Sequence, residues 1–164
     1  MALLVSTTSP GQMEEIRTLF LEYEKGLGIS LCFQNFGEEL RTLPGAYAPP
    51  SGALLLAMEG AQVAGCCALR TVMREPFERA AELKRLYVRP DFRGRGIARQ
   101  LVLGIIKEAS DKGYRTLLLD TLETMKEAQG LYLALGFEDI PPYYPNPIAG
   151  TRYMKYDLTR TGAR

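Results

Sequence analysis

The segment Arg93-Gly94-Arg95-Gly96-Ile97-Ala98 separates two stretches of different hydrophobic pattern, and this change constrains the fold more than any other feature of the chain. Residues 81–88 indicate a strand, which Arg89-Pro90 ends because proline cannot continue a ladder of backbone hydrogen bonds. From Gly94 onward, apolar residues recur at helical spacing. Glycines at such a turn let backbone N–H groups approach a phosphate, and the helix N-terminus adds a favourable dipole. We therefore expect a strand, a phosphate-binding turn and a helix in succession.

The rest of the chain alternates between the same two patterns. Residues 3–6 indicate a strand, and Ser9-Pro10-Gly11-Gln12 carries a capping box with proline in the first turn, which predicts the start of a helix. Further elements are expected as a helix at 36–43, strands at 53–58, 63–72 and 81–88, a helix from 94, a strand at 116–119, a helix at 125–135, and strands at 137–140 and 152–158. The predicted order is β-α-α-β-β-β-α-β-α-β-β.

Length and charge limit the class of protein. A chain of 164 residues that is 46% hydrophobic supports one core, so we expect a single domain over residues 1–164. Twenty Lys and Arg against nineteen Asp and Glu leave a net charge of +1, which favours a small partner over nucleic acid. The apolar start is too short for a signal peptide, and no apolar run is long enough for a membrane helix, so we expect a cytoplasmic protein without a membrane partner.

Cysteine and histidine usage excludes several chemistries. Cys32, Cys66 and Cys67 form no C-x-x-C pair, so we expect no metal site and no disulfide framework. Cys66 and Cys67 should point to opposite faces of a strand and pack in the core. The chain contains no histidine, which excludes catalysis by Cys-His or Ser-His pairs.

The phosphate-binding turn fits one motif and not two others. A P-loop needs Gly-Lys followed by Ser or Thr, and a dinucleotide fingerprint needs Gly or Ala where Arg99 stands. The turn instead resembles the acetyl-CoA signature of the GCN5-related N-acetyltransferase (GNAT) superfamily, which is Gln or Arg, two residues, Gly, one residue, then Gly or Ala. Arg93, Gly96 and Ala98 match its defined positions. The resemblance continues over residues 82–88 and 128–137, and with the order of elements it covers nearly the whole chain.

This resemblance implies a fold, a donor and a set of binding residues. The fold would be the α/β (α+β) GNAT fold, with a central mixed twisted sheet of six to seven strands flanked by helices, and the donor acetyl-CoA. The implied coenzyme A-binding residues are Leu86, Tyr87, Val88, Arg93, Gly94, Arg95, Gly96, Ile97, Ala98, Ala128 and Tyr132. The family often carries Asn where this chain has Met125, which we interpret as a core residue.

Acyl transfer to an amine needs a neutral nucleophile, stabilisation of an oxyanion and a proton for the departing thiolate. By resemblance, Glu82 is the general base, acting directly or through water, and the alternative is a surface carboxylate paired with Lys84. Tyr132 is the acid that protonates the thiolate, and the alternative is a core tyrosine. The backbone of Leu86 and Val88 would contact the pantetheine amides, with the Val88 N–H facing the thioester carbonyl.

The acceptor is expected between the first helices and the last strands. The candidate acceptor-binding residues are Phe33, Tyr143, Tyr144, Asn146 and Arg152, and Arg152 would pair with a carboxylate. The alternative is a Pro-Tyr loop packed for stability. The resulting hypothesis is an N-acetyltransferase for the amine of a small molecule or amino-acid derivative. An acyl-CoA-binding module and a protein N-terminal or lysine acetyltransferase remain alternatives, and a homodimer stays open.

Overall fold

A computed structural model describes residues 2–159, apart from the side chain of Phe33. The strands are β1 (Leu3–Ser6), β2 (Ala53–Glu59), β3 (Gln62–Val72), β4 (Ala80–Val88), β5 (Thr116–Thr121), β6 (Glu138–Ile140) and β7 (Arg152–Asp157). The α-helices are α1 (Pro10–Leu27), α2 (Phe36–Arg41), α3 (Ile97–Asp111) and α4 (Lys126–Leu135). Short 3₁₀ turns at Cys32–Gln34, Gly45–Tyr47 and Pro90–Phe92 are additions to the predicted order, which is otherwise confirmed.

All seven strands join one mixed sheet in the order β1-β2-β3-β4-β5-β7-β6. Only β4 and β5 run parallel, and α3 connects them. The predicted helix start is confirmed at α1, where Ser9 is the N-cap and its Oγ accepts a hydrogen bond from the Gln12 backbone N–H at 3.3 Å. In the described part of the chain, none of the helices has the length and apolarity needed to cross a bilayer.

The core lies on both faces of the sheet. On one face, Ile16 and Phe20 of α1 and Phe36 of α2 lie in the same buried cluster as Cys66 of β3. On the other, Leu101 and Ile105 of α3 pack in the cluster that contains Cys67. The two cysteines are fully buried on opposite faces, as their alternation along the strand predicted.

The sheet opens at its centre, where β4 leaves β5. These strands pair only over Ala80–Glu82 and Thr116–Leu118, so the second half of β4 has no partner on that side. A bulge follows, because Cys66 pairs with Tyr87 while Ala68 pairs with Lys84, which sets two residues of β4 against one of β3. Arg85 in the bulge adopts a left-handed φ of 61°. The resulting cleft gives ligands access to the middle of the sheet.

Candidate functional site

A donor groove of about 570 Å³ lies between the free half of β4 and the N-termini of α3 and α4. The residues predicted to bind coenzyme A line it, except Arg95 and Tyr132. Because β4 has left β5, backbone groups of residues 86–88 border this groove instead of another strand. The groove therefore presents an open strand edge beside a helix N-terminus, which suits an extended chain with amides and a phosphate at one end.

The glycine turn is shaped for close approach of a ligand. Gly94 and Gly96 have left-handed φ values of 79° and 78°, and a Cβ on either would meet nothing within 4 Å. Gly96 is the N-cap of α3 and supplies no side-chain cap, so the first N–H groups of the helix are left for a ligand. Any residue with a Cβ would fill that space and strain the backbone.

Cations surround the turn. The Arg93 Nε donates to the Val88 carbonyl at 2.9 Å, and its guanidinium lies 5.8 Å from the Tyr87 ring centroid, so the side chain is held at the groove. Arg99 and Lys126 also line the groove, against the single carboxylate of Glu127 among its lining residues. Positive charge at a helix N-terminus favours a phosphate group.

Two arginines near the turn differ from the prediction in whether they line the donor groove. Arg95 does not line the groove: its Nη2 donates to the Asp91 carbonyl at 3.4 Å, and it lies over the Phe92 ring. Arg99 does line it, although the sequence argument used this residue only to reject another motif. Its position in the first turn of α3, next to the signature, is the signal that would have identified it.

A narrow chamber of about 40 Å³ continues from the donor groove into the cleft between β4 and β5. Leu86 and Met125 line both spaces. Tyr132 of α4 lines the chamber, with its ring 5.4 Å from that of Phe137, and its hydroxyl makes no hydrogen bond within residues 2–159. Burial raises the pKa of Tyr132 well above its usual value, so the hydroxyl stays protonated and can donate. The prediction that Met125 is a core residue is wrong, since it is half-buried and lines the groove.

An acceptor pocket of about 270 Å³ adjoins the chamber on the side of α2. Gln34, Lys84 and Arg85 line both spaces. Lys84 Nζ donates to Gln34 Oε1 at 3.0 Å, while Arg85 donates to both oxygens of Glu39 at 2.9 and 2.8 Å. These contacts fix the wall between the chamber and the pocket. The three spaces adjoin one another in series through these shared lining residues, and we call the series the path.

Glu82 lines the acceptor pocket and is almost fully buried, with 1% of its surface exposed, so the alternative of a surface carboxylate is wrong. Its Oε1 pairs with Arg70 Nη2 at 2.8 Å, and its Oε2 accepts a hydrogen bond from the Tyr143 hydroxyl at 2.5 Å. Burial by itself would raise the pKa of Glu82, but the charges of Lys84 and Arg70 and these hydrogen bonds outweigh it and hold the pKa below its usual value. The group is therefore a carboxylate at neutral pH, and a weak base.

Asp120 is a functional candidate that the sequence argument did not identify. It lies at the carboxyl end of β5 and lines the chamber. Its Oδ2 accepts hydrogen bonds from the Tyr144 hydroxyl and, at 3.1 Å, from Asn146 Nδ2. Beside it, the buried Thr121 Oγ1 has no hydrogen-bond partner among the described residues. The signal in the sequence that could have identified Asp120 is its position as an acidic residue at the end of a buried strand, where a diverging neighbouring strand opens a crevice.

Of the five predicted acceptor-binding residues, Tyr144 and Asn146 line the path, and Tyr143 contacts it only through Glu82. Tyr143, Tyr144 and Asn146 bind the two carboxylates described above. Arg152 lies elsewhere: it donates to both oxygens of Asp139, at 2.5 and 2.8 Å, and to Gln129 Oε1 at 3.1 Å, and it lines neither the chamber nor the pocket. Its predicted pairing with an acceptor carboxylate is therefore not supported. The side chain of Phe33 lies outside the described residues.

Comparison with known proteins agrees with this geometry. The model of the acetyltransferase (GNAT) family matches residues 13–137. An uncharacterized N-acetyltransferase of Schizosaccharomyces pombe is 37% identical over 154 residues, covering 92% of this chain and 91% of that protein. A GNAT acetyltransferase structure from Staphylococcus aureus has the same fold, with a TM-score of 0.77, 20% identity, and coverage of 96% of this chain and 99% of that one. A second, from Elizabethkingia anophelis, has acetyl-CoA bound, with a TM-score of 0.52, 24% identity, and coverage of 65% and 76%.

Proposed function

The chain belongs to the acetyltransferase (GNAT) family of acyltransferases, and we propose that it transfers the acetyl group of acetyl-CoA to the amine of a small molecule. The observation that carries the proposal is the series of adjoining spaces, in which the chamber shares lining residues with the donor groove on one side and with the acceptor pocket on the other. A thioester entering from one end and an amine entering from the other would meet in the chamber. Binding both reactants in line contributes to the rate by lowering the entropic cost of their encounter.

The donor groove would hold coenzyme A by two features. The pyrophosphate binds the backbone N–H groups of residues 94–98 and the charges of Arg93 and Arg99. The pantetheine arm adds to the free edge of β4 at residues 86–88 and passes Ala128. The fit is supported by the open space at both glycine Cβ positions.

Within the chamber, the amine nitrogen forms a bond to the thioester carbon and the carbon–sulfur bond breaks, giving an amide and coenzyme A. The Val88 N–H would stabilise the carbonyl oxygen. Tyr132 gives its hydroxyl proton to the thiolate. The base passes the proton that it took from the amine to the Tyr132 oxygen, so the enzyme returns to its starting state and the reaction is balanced. The support for the acid role is the position of Tyr132 in the lining of the chamber, where its hydroxyl is protonated at neutral pH.

Two carboxylates are candidates for the base. Glu82 is the one that the family resemblance implies, and it would act through Tyr143, whose hydroxyl it binds at 2.5 Å. Asp120 lines the chamber itself, whereas Glu82 lines only the acceptor pocket. Comparing Glu82→Gln with Asp120→Asn identifies the base, since its loss should lower kcat by about 100-fold or more.

The proposal is tested by measuring free thiol released from acetyl-CoA with a panel of amines, and coenzyme A binding by calorimetry. Arg93→Ala and Gly96→Glu should weaken coenzyme A binding at least tenfold, because they remove a phosphate cation and the space at the turn. Arg115→Ala is the matched control, since Arg115 is exposed and lies outside the groove. Unchanged binding in both groove variants contradicts the donor site. Tight coenzyme A binding without thiol release from any amine would instead indicate an acyl-CoA-binding module.

A further inference from the structure

The acceptor pocket carries more positive than negative charge. Its lining contains four cations and two carboxylates, which are Arg70, Arg74, Lys84, Arg85, Glu39 and Glu82. Both carboxylates are already paired, Glu39 with Arg85 and Glu82 with Arg70. Arg74 and Lys84 form no ion pair within residues 2–159. The lining of the pocket therefore has two more cations than carboxylates, which favours an anionic ligand.

Arg74 is placed to receive that anion. Its side chain is exposed at the pocket, and its guanidinium lies 5.6 Å from the Tyr144 ring centroid. A guanidinium held against an aromatic ring keeps its fork of N–H donors free, and that fork matches the two oxygens of a carboxylate. Lys84, deeper in the pocket, adds positive charge toward the chamber.

A negative charge lies at the other end of the same tyrosine. The Tyr144 hydroxyl binds Asp120, and Asp120 forms no ion pair in the described part of the chain. Among residues 2–159, hydrogen bonds reach only Oδ2 of this carboxylate, so Oδ1 is left for a ligand. A half-buried carboxylate that lacks an ion-pair contact is stabilised by a ligand that brings a cation to it.

From this pair of opposite charges joined by Tyr144, we infer that the acceptor is a free amino acid, whose carboxylate binds Arg74 and whose amino group binds Asp120 in the chamber. The inference rests on the proposed function, because it assigns the substrate class of the same path. Arg74 thus takes the carboxylate-binding role predicted for Arg152, whose N–H donors bind Asp139 and Gln129. Asp120 would hold the amine in line with the thioester before the amine loses its proton to the base.

The test compares each amino acid with its carboxamide and its decarboxylated amine, with phenylalanine, phenylalaninamide and phenethylamine as one such set. The wild type should prefer amino acids by at least tenfold in kcat/KM. Arg74→Ala should lower kcat/KM for amino acids by about 10- to 100-fold, the range expected for a charged hydrogen bond, and leave that for the decarboxylated amines unchanged. Arg74→Lys should retain part of the preference, and Arg115→Ala all of it.

Amino-acid binding is measured separately by calorimetry on protein saturated with coenzyme A, so the result does not depend on turnover. Equal kcat/KM within each set, or an Arg74→Ala variant with unchanged selectivity, overturns the inference and leaves the proposed function standing. A preference for peptides over free amino acids also overturns it. If no amine releases thiol, the proposed function fails. In that case, amino-acid binding that Arg74→Ala weakens at least tenfold still supports an amino-acid site at Arg74 and Asp120. Binding that is absent or insensitive to Arg74→Ala refutes it.

Discussion

Replacing Tyr132 with Phe is expected to separate catalysis from folding, because Tyr132 lines the chamber and its hydroxyl makes no hydrogen bond within the described residues. The ring keeps its contact with Phe137 at 5.4 Å between centroids. No protein hydrogen bond is lost, so the free energy of unfolding should change by less than about 1 kcal/mol. Removing a general acid should lower kcat by about 10²- to 10⁴-fold, which is roughly 3–5 kcal/mol in activation free energy.

The assay needs to report the chemical step. Single-turnover thiol release separates chemistry from product release, calorimetry gives the dissociation constant of coenzyme A, and urea denaturation gives stability. Tyr156→Phe is the matched control, because the Tyr156 ring also packs against Phe137, at 5.2 Å between centroids, and lies outside the groove, the chamber and the pocket. Tyr156→Phe should leave all three measurements unchanged. A wild-type single-turnover rate in Tyr132→Phe would refute the acid role.

Two further predictions follow from close packing and from charge. Gly65→Ala would place a Cβ against the Tyr87 carbonyl oxygen, so the free half of β4 must shift. We expect coenzyme A binding to weaken at least tenfold and the free energy of unfolding to fall by about 1–3 kcal/mol. An unchanged dissociation constant in calorimetry would contradict this. The pKa of Glu82 is lower in the folded protein than its usual 4.5, so its ionised form contributes stability at neutral pH that is lost as the pH falls through the folded value. Urea denaturation should therefore give wild type a higher free energy of unfolding than Glu82→Gln at pH 7, and this difference should shrink below about pH 4.5. A difference that grows below that pH would refute the lowered pKa of Glu82.

Much of the fold could be predicted because its signals are local. The capping box at Ser9 and the helical spacing after Gly96 act within one or two turns, so a short window of sequence contains the interaction that decides the structure. The same holds for the signature from Arg93 to Ala98, where a backbone conformation and a helix N-terminus form the phosphate site without distant partners. The helix and strand order followed from these local patterns.

The acceptor side was decided by contacts between distant parts of the chain. Glu82 pairs with Arg70 on the neighbouring strand, because antiparallel register sets those two residues opposite each other, and the sequence had suggested Lys84 instead. Arg152 turns to Asp139 because β6 pairs with β7.

Asp120 reaches the site only because β5 diverges from β4 after three paired residues, which opens the chamber at the end of β5. Sheet register and strand divergence depend on the packing of helices on both faces, and no short stretch of sequence contains that information. The sequence by itself thus determined the elements and the donor turn, whereas the tertiary structure decided which charges meet the acceptor.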